Sequence, residues 1–385
     1  MTLRRLVALI ATAVLIASCS VAAQTGSSIE SQTIDSPSPT AEATRLESSG
    51  TSTSRDLIDV GSSGANGAWA LTGHGLEVTN DAGLTWTDVT PPGGSPAGIK
   101  AIAFAGSSGS ILTINSDGTT LGLLQTTDDG KTWTTKSLPG SYVDGVGGVW
   151  IDQLNEQDIW VSVRIATSSA ESIGVGLRTL DGGNTWKTIN LPSAGPLFFV
   201  DESNGWSAGG TVGQSFYRTT DGGDSWVAVT LPAPSEAKDH SPSFVEPTLI
   251  GPDAVLPVSW NLPNSGPLVV AFYTSTDSGA SWQLSGTVQA APGGYTTPVA
   301  VLGSSRWLVE TANGLVETTN AGQAFSQVDV SGLDPNSIAR FLSVGDSLWA
   351  VQQNGSCDVT KTTCISATSL SISTNGGSTW LDASP

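Results

Sequence analysis

Thr219-Thr-Asp-Gly-Gly-Asp-Ser-Trp226 is the stretch from which the fold of this chain can be read. An Asp in third position can accept hydrogen bonds from backbone amides just ahead of it, as in an Asx-type turn. A Gly in fifth position permits positive φ. The Ser before the Trp can tie the turn closed, and the Trp opens a new strand with a large flat surface to bury. The segment therefore reads as the tight turn of a β-hairpin.

The same spacing recurs around Asp81, Asp128, Asp181, Asp277, Asn320 and Asn375, in segments ending at Trp86, Trp133, Trp186, Trp282, Phe325 and Trp380. With Asp221 that makes seven copies, 40 to 56 residues apart. Periods of this length mean a solenoid, a propeller or an array. Alternating apolar runs precede the turns, such as Ala68-Trp-Ala-Leu71, Ile111-Leu-Thr-Ile114 and Trp160-Val-Ser-Val163. Each repeat thus holds about four strands, the content of one propeller blade. The expected fold is all-β, a seven-bladed β-propeller of four-stranded antiparallel blades over 55–385. Blades are expected near 55–91, 97–138, 143–191, 196–231, 243–290, 296–331 and 337–385. Each is then continuous in sequence, and the ring closes by packing blade 1 against blade 7 without a shared strand.

Composition agrees. Of 385 residues only 13% are charged, with 45 Gly and 13 Trp. Surface helices need more Glu, Lys and Arg than this. The net charge of −19 excludes a basic nucleic-acid footprint and electrostatic docking to an anionic membrane. With only His74 and His240, a metal site is not expected and no cofactor is implied.

The N-terminus reads as an export signal over 1–18. Arg4 and Arg5 precede an apolar run, Leu6 to Ala17, too short to span a bilayer. Ile16-Ala-Ser-Cys19 resembles the bacterial lipobox, which implies that Cys19 is lipidated and the protein held on the outer side of the cytoplasmic membrane. Two acyl chains give stable anchoring. Residues 19–54 are rich in Ser, Thr and Pro and read as a disordered tether. Outside the cytoplasm, Cys357 and Cys364 are expected to form a disulfide, with two free thiols as the alternative.

The seven turns resemble those of the Asp-box, or BNR, repeat. Asn204-Gly-Trp-Ser-Ala-Gly209, followed by Thr219-Thr-Asp-Gly-Gly223, resembles the Ycf48-like group of photosystem II assembly propellers, and sialidases and xyloglucan hydrolases share the repeat. The box fixes a turn and is no evidence of catalysis. The basic patch of the assembly factors has no counterpart in this acidic chain.

A sialidase needs a clamp of three Arg, and Arg164 and Arg340 are too few on one face; Arg178 and Arg218 fall beside the boxes. A hydrolase using two carboxylates would draw on Asp144, Asp201, Glu246 or Asp253. The favoured reading is a non-enzymatic, monomeric binding or assembly scaffold for an envelope protein or cell-wall glycan. The alternative is a secreted glycoside hydrolase, sialidase-like or endoglucanase-like. The rim opposite the boxes is expected to bind, through loops Arg164–Gly174, Leu231–Pro247, Ser259–Pro267 and Gln352–Ser369. Its candidate residues are Tyr142, Arg164, Lys238, His240, Trp260, Tyr295 and Arg340.

Overall fold

The computed structural model describes residues 57–64, 66–115, 118–140, 142, 145–165, 174–209, 215–238, 240–262, 266–290, 296–358 and 363–385, with the backbone alone at 262, 266–268, 354–358 and 363–367. The expected signal, Cys19, the tether, Asp144 and Tyr295 lie outside the described residues.

Seven antiparallel sheets form the seven blades, with almost no helix. In blade 1 the strands are Leu57–Ser62, Ala68–Thr72, Leu76–Thr79 and Thr87–Asp88, paired in that order. The first strands of neighbouring blades contact one another and so surround the axis. The fourth strands are mostly two to four residues long and lie outermost. Blade 5 departs from the pattern: its inner strand is split into Ser241–Phe244 and Thr248–Ile250. Part of the expected loop Leu231–Pro247 is therefore strand.

The core lies between blade faces, because alternate side chains of each strand point to opposite neighbours. In blade 6, Trp307 and Val309 pack against blade 5, with Val255, Val270 and Phe272. Leu308 packs against blade 7, with Phe341, Leu348 and Ala350. The fully buried tryptophans are Trp160, Trp206, Trp307 and Trp349, all in second strands. Of the Trp that close the boxes, Trp380 is buried, while Trp86, Trp133, Trp186, Trp226 and Trp282 are only half-buried. They plug seams between blades instead of filling them.

The ring closes by face packing. Leu57–Ser62 is the inner strand of blade 1, and Leu381–Asp382 is the outer strand of blade 7. Leu57, Val60, Ala68 and Ala70 pack against Val344, Trp349, Val351 and Leu370. Arg340 pairs with Asp59 at 2.8 Å and donates to the Val60 carbonyl at 2.7 Å. The Trp86 indole N–H reaches the Ala383 carbonyl at 3.1 Å.

Candidate functional site

The two rims use their polar groups differently. In the box of blade 4, Asp221 Oδ1 accepts from the Ser225 amide at 2.9 Å and the Thr219 hydroxyl at 2.8 Å. Its Oδ2 accepts from the Ser225 hydroxyl at 2.5 Å, and the Gly223 amide donates to Thr219 Oγ1 at 2.9 Å. Asp81, Asp128, Asp181 and Asp277 make the same set. In blade 6, Ala324 has no hydroxyl to give, and Asn320 keeps the Ala324 amide and the Thr318 hydroxyl as donors. In blade 7, Asn375 donates its Nδ2 to Thr379 instead.

Each box is also held from outside itself. The Asn66, Ser107, Gln157 and Ser203 carbonyls accept from the amide of the fourth box residue in blades 1 to 4. Arg178 of blade 3 donates to the Gly222 carbonyl of the next box at 3.1 Å, and Arg306 to the Gly376 carbonyl at 3.0 Å. Lys187 pairs with Asp224 across the same seam at 2.6 Å. The hydroxyl of residue 185 or 225 holds Asp181 or Asp221 down to about 2. These carboxylates are already satisfied within the fold. A shallow cleft of about 640 Å³ lies on this rim, between Ser62–Gly64, Phe104–Ser108 and Leu154–Glu156.

On the opposite rim, Arg164 is half-buried, donates to the Gly147 carbonyl at 2.8 Å and lies 5.8 Å from the centre of the Trp150 ring. Lys238 is exposed. His240 is half-buried, and neither ring nitrogen has a partner. Two of the candidate rim residues are buried, Tyr142 against expectation and Trp260 in the blade core, its favoured alternative to the rim. Tyr142 is buried among Leu112, Leu121, Leu123 and Val149, because those apolar neighbours cover its ring, and its hydroxyl has no partner. Trp260 is buried against blade 4, on the face of its strand that also carries Leu256 and Val258. Arg340 is engaged in ring closure, as above. The five Arg of blades 3 to 7 stand in separate contacts, so no three-Arg clamp forms among the described residues.

Two expected loops are strands. In blade 5, Asp253–Leu262 and Gly266–Ser275 form one long hairpin. In blade 7, Ser347–Asp358 and Thr363–Ser373 pair without a break from Leu348↔Ser373 to Asp358↔Thr363. The inner strand of blade 7 follows this hairpin only to Gln352, and the outer strand pairs only at Ser371 and Ile372. Beyond Gln352 and Ser369 no other strand pairs with this hairpin among the described residues, which leaves a two-stranded arm there. Its register sets Cys357 opposite Cys364.

Three carboxyl groups behave unlike those of the boxes. Asp152, on the inner strand of blade 3, is pushed up to about 7 by burial, although its Oδ2 accepts from the Phe199 amide at 2.6 Å; the negative Glu246 adds to the shift. Glu246 sits between the two inner strands of blade 5. It keeps water-exposed surface, yet enclosure by protein pushes it up to about 7 as well. Glu310, in the second strand of blade 6, is 8% exposed and is pushed up to about 7 by burial and then by the charge of Asp334. Sequence reading missed Asp152 and Glu310; Glu310 stands in an apolar run, Trp307-Leu-Val-Glu-Thr311, and that odd charge was its one signal. Among the described residues, no group of three or more His, Cys, Asp or Glu gathers to hold a metal.

No family model matches the sequence, and no curated protein matches it. Solved structures do. A YCF48 bound to a D1 peptide superposes with a TM-score of 0.52 at 16% identity, over 78% of this chain and 89% of that one. YCF48 from Cyanidioschyzon merolae gives 0.49 at 14% identity, over 80% and 91%. An ancestral GH74 enzyme gives 0.50 at 14% identity, over 81% of this chain but 46% of that one. At these identities the likeness is one of fold.

Proposed function

We propose that the chain is a non-enzymatic binding scaffold, exported and lipid-anchored through Cys19, whose rim opposite the boxes takes an extended segment of a protein of the cell envelope. The observation that carries this reading is the arm of blade 7. An exposed strand edge offers a row of unpaired amides and carbonyls that an incoming strand can complete. That one structural neighbour was solved with a peptide supports a protein as the partner over a glycan. A disulfide between Cys357 and Cys364 would pin the arm's register, since directly opposed residues of an antiparallel pair have Cα atoms about 4.5–5.5 Å apart.

The hydrolase reading draws on Asp152 and Glu246. An acid–base pair works when its surroundings push the two groups apart, one protonated and one ionised. Here both are pushed the same way, to about 7. The test is to replace residues 353–368 by a two-residue Asn-Gly turn and compare capture of envelope proteins by the two chains. Loss of capture with an unchanged melting temperature is expected. Equal capture, or release of sugar from a polysaccharide panel by the intact chain, would overturn the scaffold reading. Cys19→Ala should leave the protein unprocessed or free it from the membrane fraction; a processed, membrane-bound product would refute the anchor.

A further inference from the structure

We propose that Cys357 and Cys364 are a thiol–disulfide switch that sets whether the arm of blade 7 is ordered for docking. This rests on reading the arm as the docking edge and adds what controls it.

The position of the two cysteines follows from the ladder. Antiparallel pairs alternate between hydrogen-bonded and non-hydrogen-bonded. Leu370 fixes the phase, because its carbonyl accepts from the Ala383 amide at 2.8 Å and its amide donates to Ser384 Oγ at 3.0 Å. Both main-chain groups of Leu370 therefore point to the outer side, away from Val351, its partner in the hairpin. Val351↔Leu370 is thus a non-hydrogen-bonded pair. From there the ladder runs to Asp358↔Thr363 without a shift of register, so every second pair repeats that state. Gln353↔Thr368, Gly355↔Ser366 and Cys357↔Cys364 fall on it. In pairs of this kind the Cα atoms are about 4.5 Å apart and side chains come closer than in the other kind. That separation is within the span of a disulfide. The same phase turns the amides and carbonyls of Thr368, Ser366 and Cys364 to the outer side. Those are the groups an added strand would bond, and the cysteine pair stands at their far end.

The arm needs such a link. From Gln353↔Thr368 to Asp358↔Thr363 no third strand pairs with it among the described residues. A two-stranded hairpin is marginal in water on its own. Asn354, Gly355 and Asp358 are poor strand formers besides. The foot of the same hairpin differs, since Leu348, Trp349 and Ala350 are buried against blades 6 and 1. A bond between 357 and 364 holds the far end of the ladder and restricts the open arm more than the closed one. The chemistry is exchange with a small disulfide such as oxidised glutathione. One cysteine thiolate displaces a thiolate from it, and the second cysteine thiolate then breaks the mixed disulfide. The arm gives up two electrons and two protons, and the small disulfide leaves as two thiols. A dithiol reductant runs the same steps backwards.

The full chain is equilibrated with oxidised glutathione or with dithiothreitol, and alkylation is read by mass spectrometry on the peptides that hold Cys357 and Cys364. Both cysteines should be blocked in the first sample, with no glutathione added in mass, and alkylated in the second. Amide exchange in 353–358 and 363–368 should speed up by about tenfold or more on reduction, while Leu348–Val351 stays unchanged. The double variant Cys357→Ser, Cys364→Ser should exchange at the reduced rate in both buffers. Free thiols or glutathione adducts in the oxidised sample, or equal exchange in the two states, would overturn the switch. So would a double variant that still responds to dithiothreitol, since the reductant would then act elsewhere. Capture of envelope proteins should fall on reduction in the unaltered chain alone. Redox-dependent exchange with capture unchanged would uphold the switch and refute the arm as the docking edge. Equal exchange, with capture lost only when the arm is removed, would do the reverse.

Discussion

The carboxyl groups of the box rim and those of Asp152, Glu246 and Glu310 have the same chemistry and opposite fates. Asp181 and Asp221 are held at about 2 by hydroxyl and amide donors from their own turn. Asp152, Glu246 and Glu310 are driven to about 7 by enclosure that their partners do not offset. The first kind is a finished structural device, written into the sequence seven times. The second kind is set by where the fold places the group, not by a local turn. Burial and the reach of the donors make the difference: every box carboxylate has its donors within four residues, whereas Asp152 draws on Phe199, 47 positions away.

The largest effect should come from the core and should break any idea that the box Trp dominate stability. Trp349 is fully buried, meets Trp86 edge-on at 6.1 Å and closes the ring between blades 7 and 1. Trp349→Ala should cost about 3–5 kcal/mol. Trp226, half-buried with its indole N–H on the Gly223 carbonyl, should cost about 2 kcal/mol when cut to Ala. Denaturant titration of both variants ranks them, and a larger loss at Trp226 would reverse the assignment.

The pH dependence sharpens the contrast. A carboxyl whose folded value is raised binds its proton more tightly in the fold. Its contribution is full below the unfolded value and is lost as pH climbs towards about 7. The box carboxylates contribute above their unfolded value and lose it as pH falls towards about 2. Stability should therefore peak at about pH 4–5 and decline on both sides. Glu310→Gln should remove part of the upper slope and stabilise the protein by about 2 kcal/mol at about pH 8. A flat profile between about pH 5 and 8 would show that these interior groups are not perturbed.

Much of the fold was legible because the box is local chemistry. Asp221, Gly223 and Ser225 make a turn whatever surrounds them, so seven turns gave seven blades. The site was not legible for the opposite reason. The raised value of Glu310 depends on its burial in the fold and on Asp334, 24 positions on. The arm was hidden as well. Gln353-Asn-Gly-Ser-Cys-Asp358 has the composition of a loop, and only its ladder to Thr363–Thr368 makes it strand. Tyr142 was misplaced because a Gly-rich flank predicts exposure of the chain, whereas the ring itself turns inwards.

Asp221→Ala should cost about 1–2 kcal/mol, through loss of its turn bonds. It should leave capture of envelope proteins unchanged, because the box lies on the far rim. If it abolished capture while stability held, the box rim would be the working face.

The smallest effect tests the turn itself. Its fourth position takes positive φ in every copy. Boxes 3, 4 and 7 place Gly182, Gly222 and Gly376 there, at 68°, 73° and 70°. Boxes 1, 2, 5 and 6 place Ala82, Asp129, Ser278 and Ala321 there, at 53° to 57°. A residue with a Cβ is strained in that region by roughly 1–2 kcal/mol. Glycine relieves the strain but gives back roughly 0.5–1 kcal/mol through the freer unfolded chain. Ser278 isolates the difference, since its side chain is exposed and its amide bond to the Pro252 carbonyl survives the change. Ser278→Gly should thus stabilise blade 5 by about 0.5 kcal/mol, seen as a small rise in the denaturant midpoint at constant slope. A fall would mean that the serine is doing something in this turn beyond tolerating it, and that the boxes are less alike than their seven-fold spacing implies.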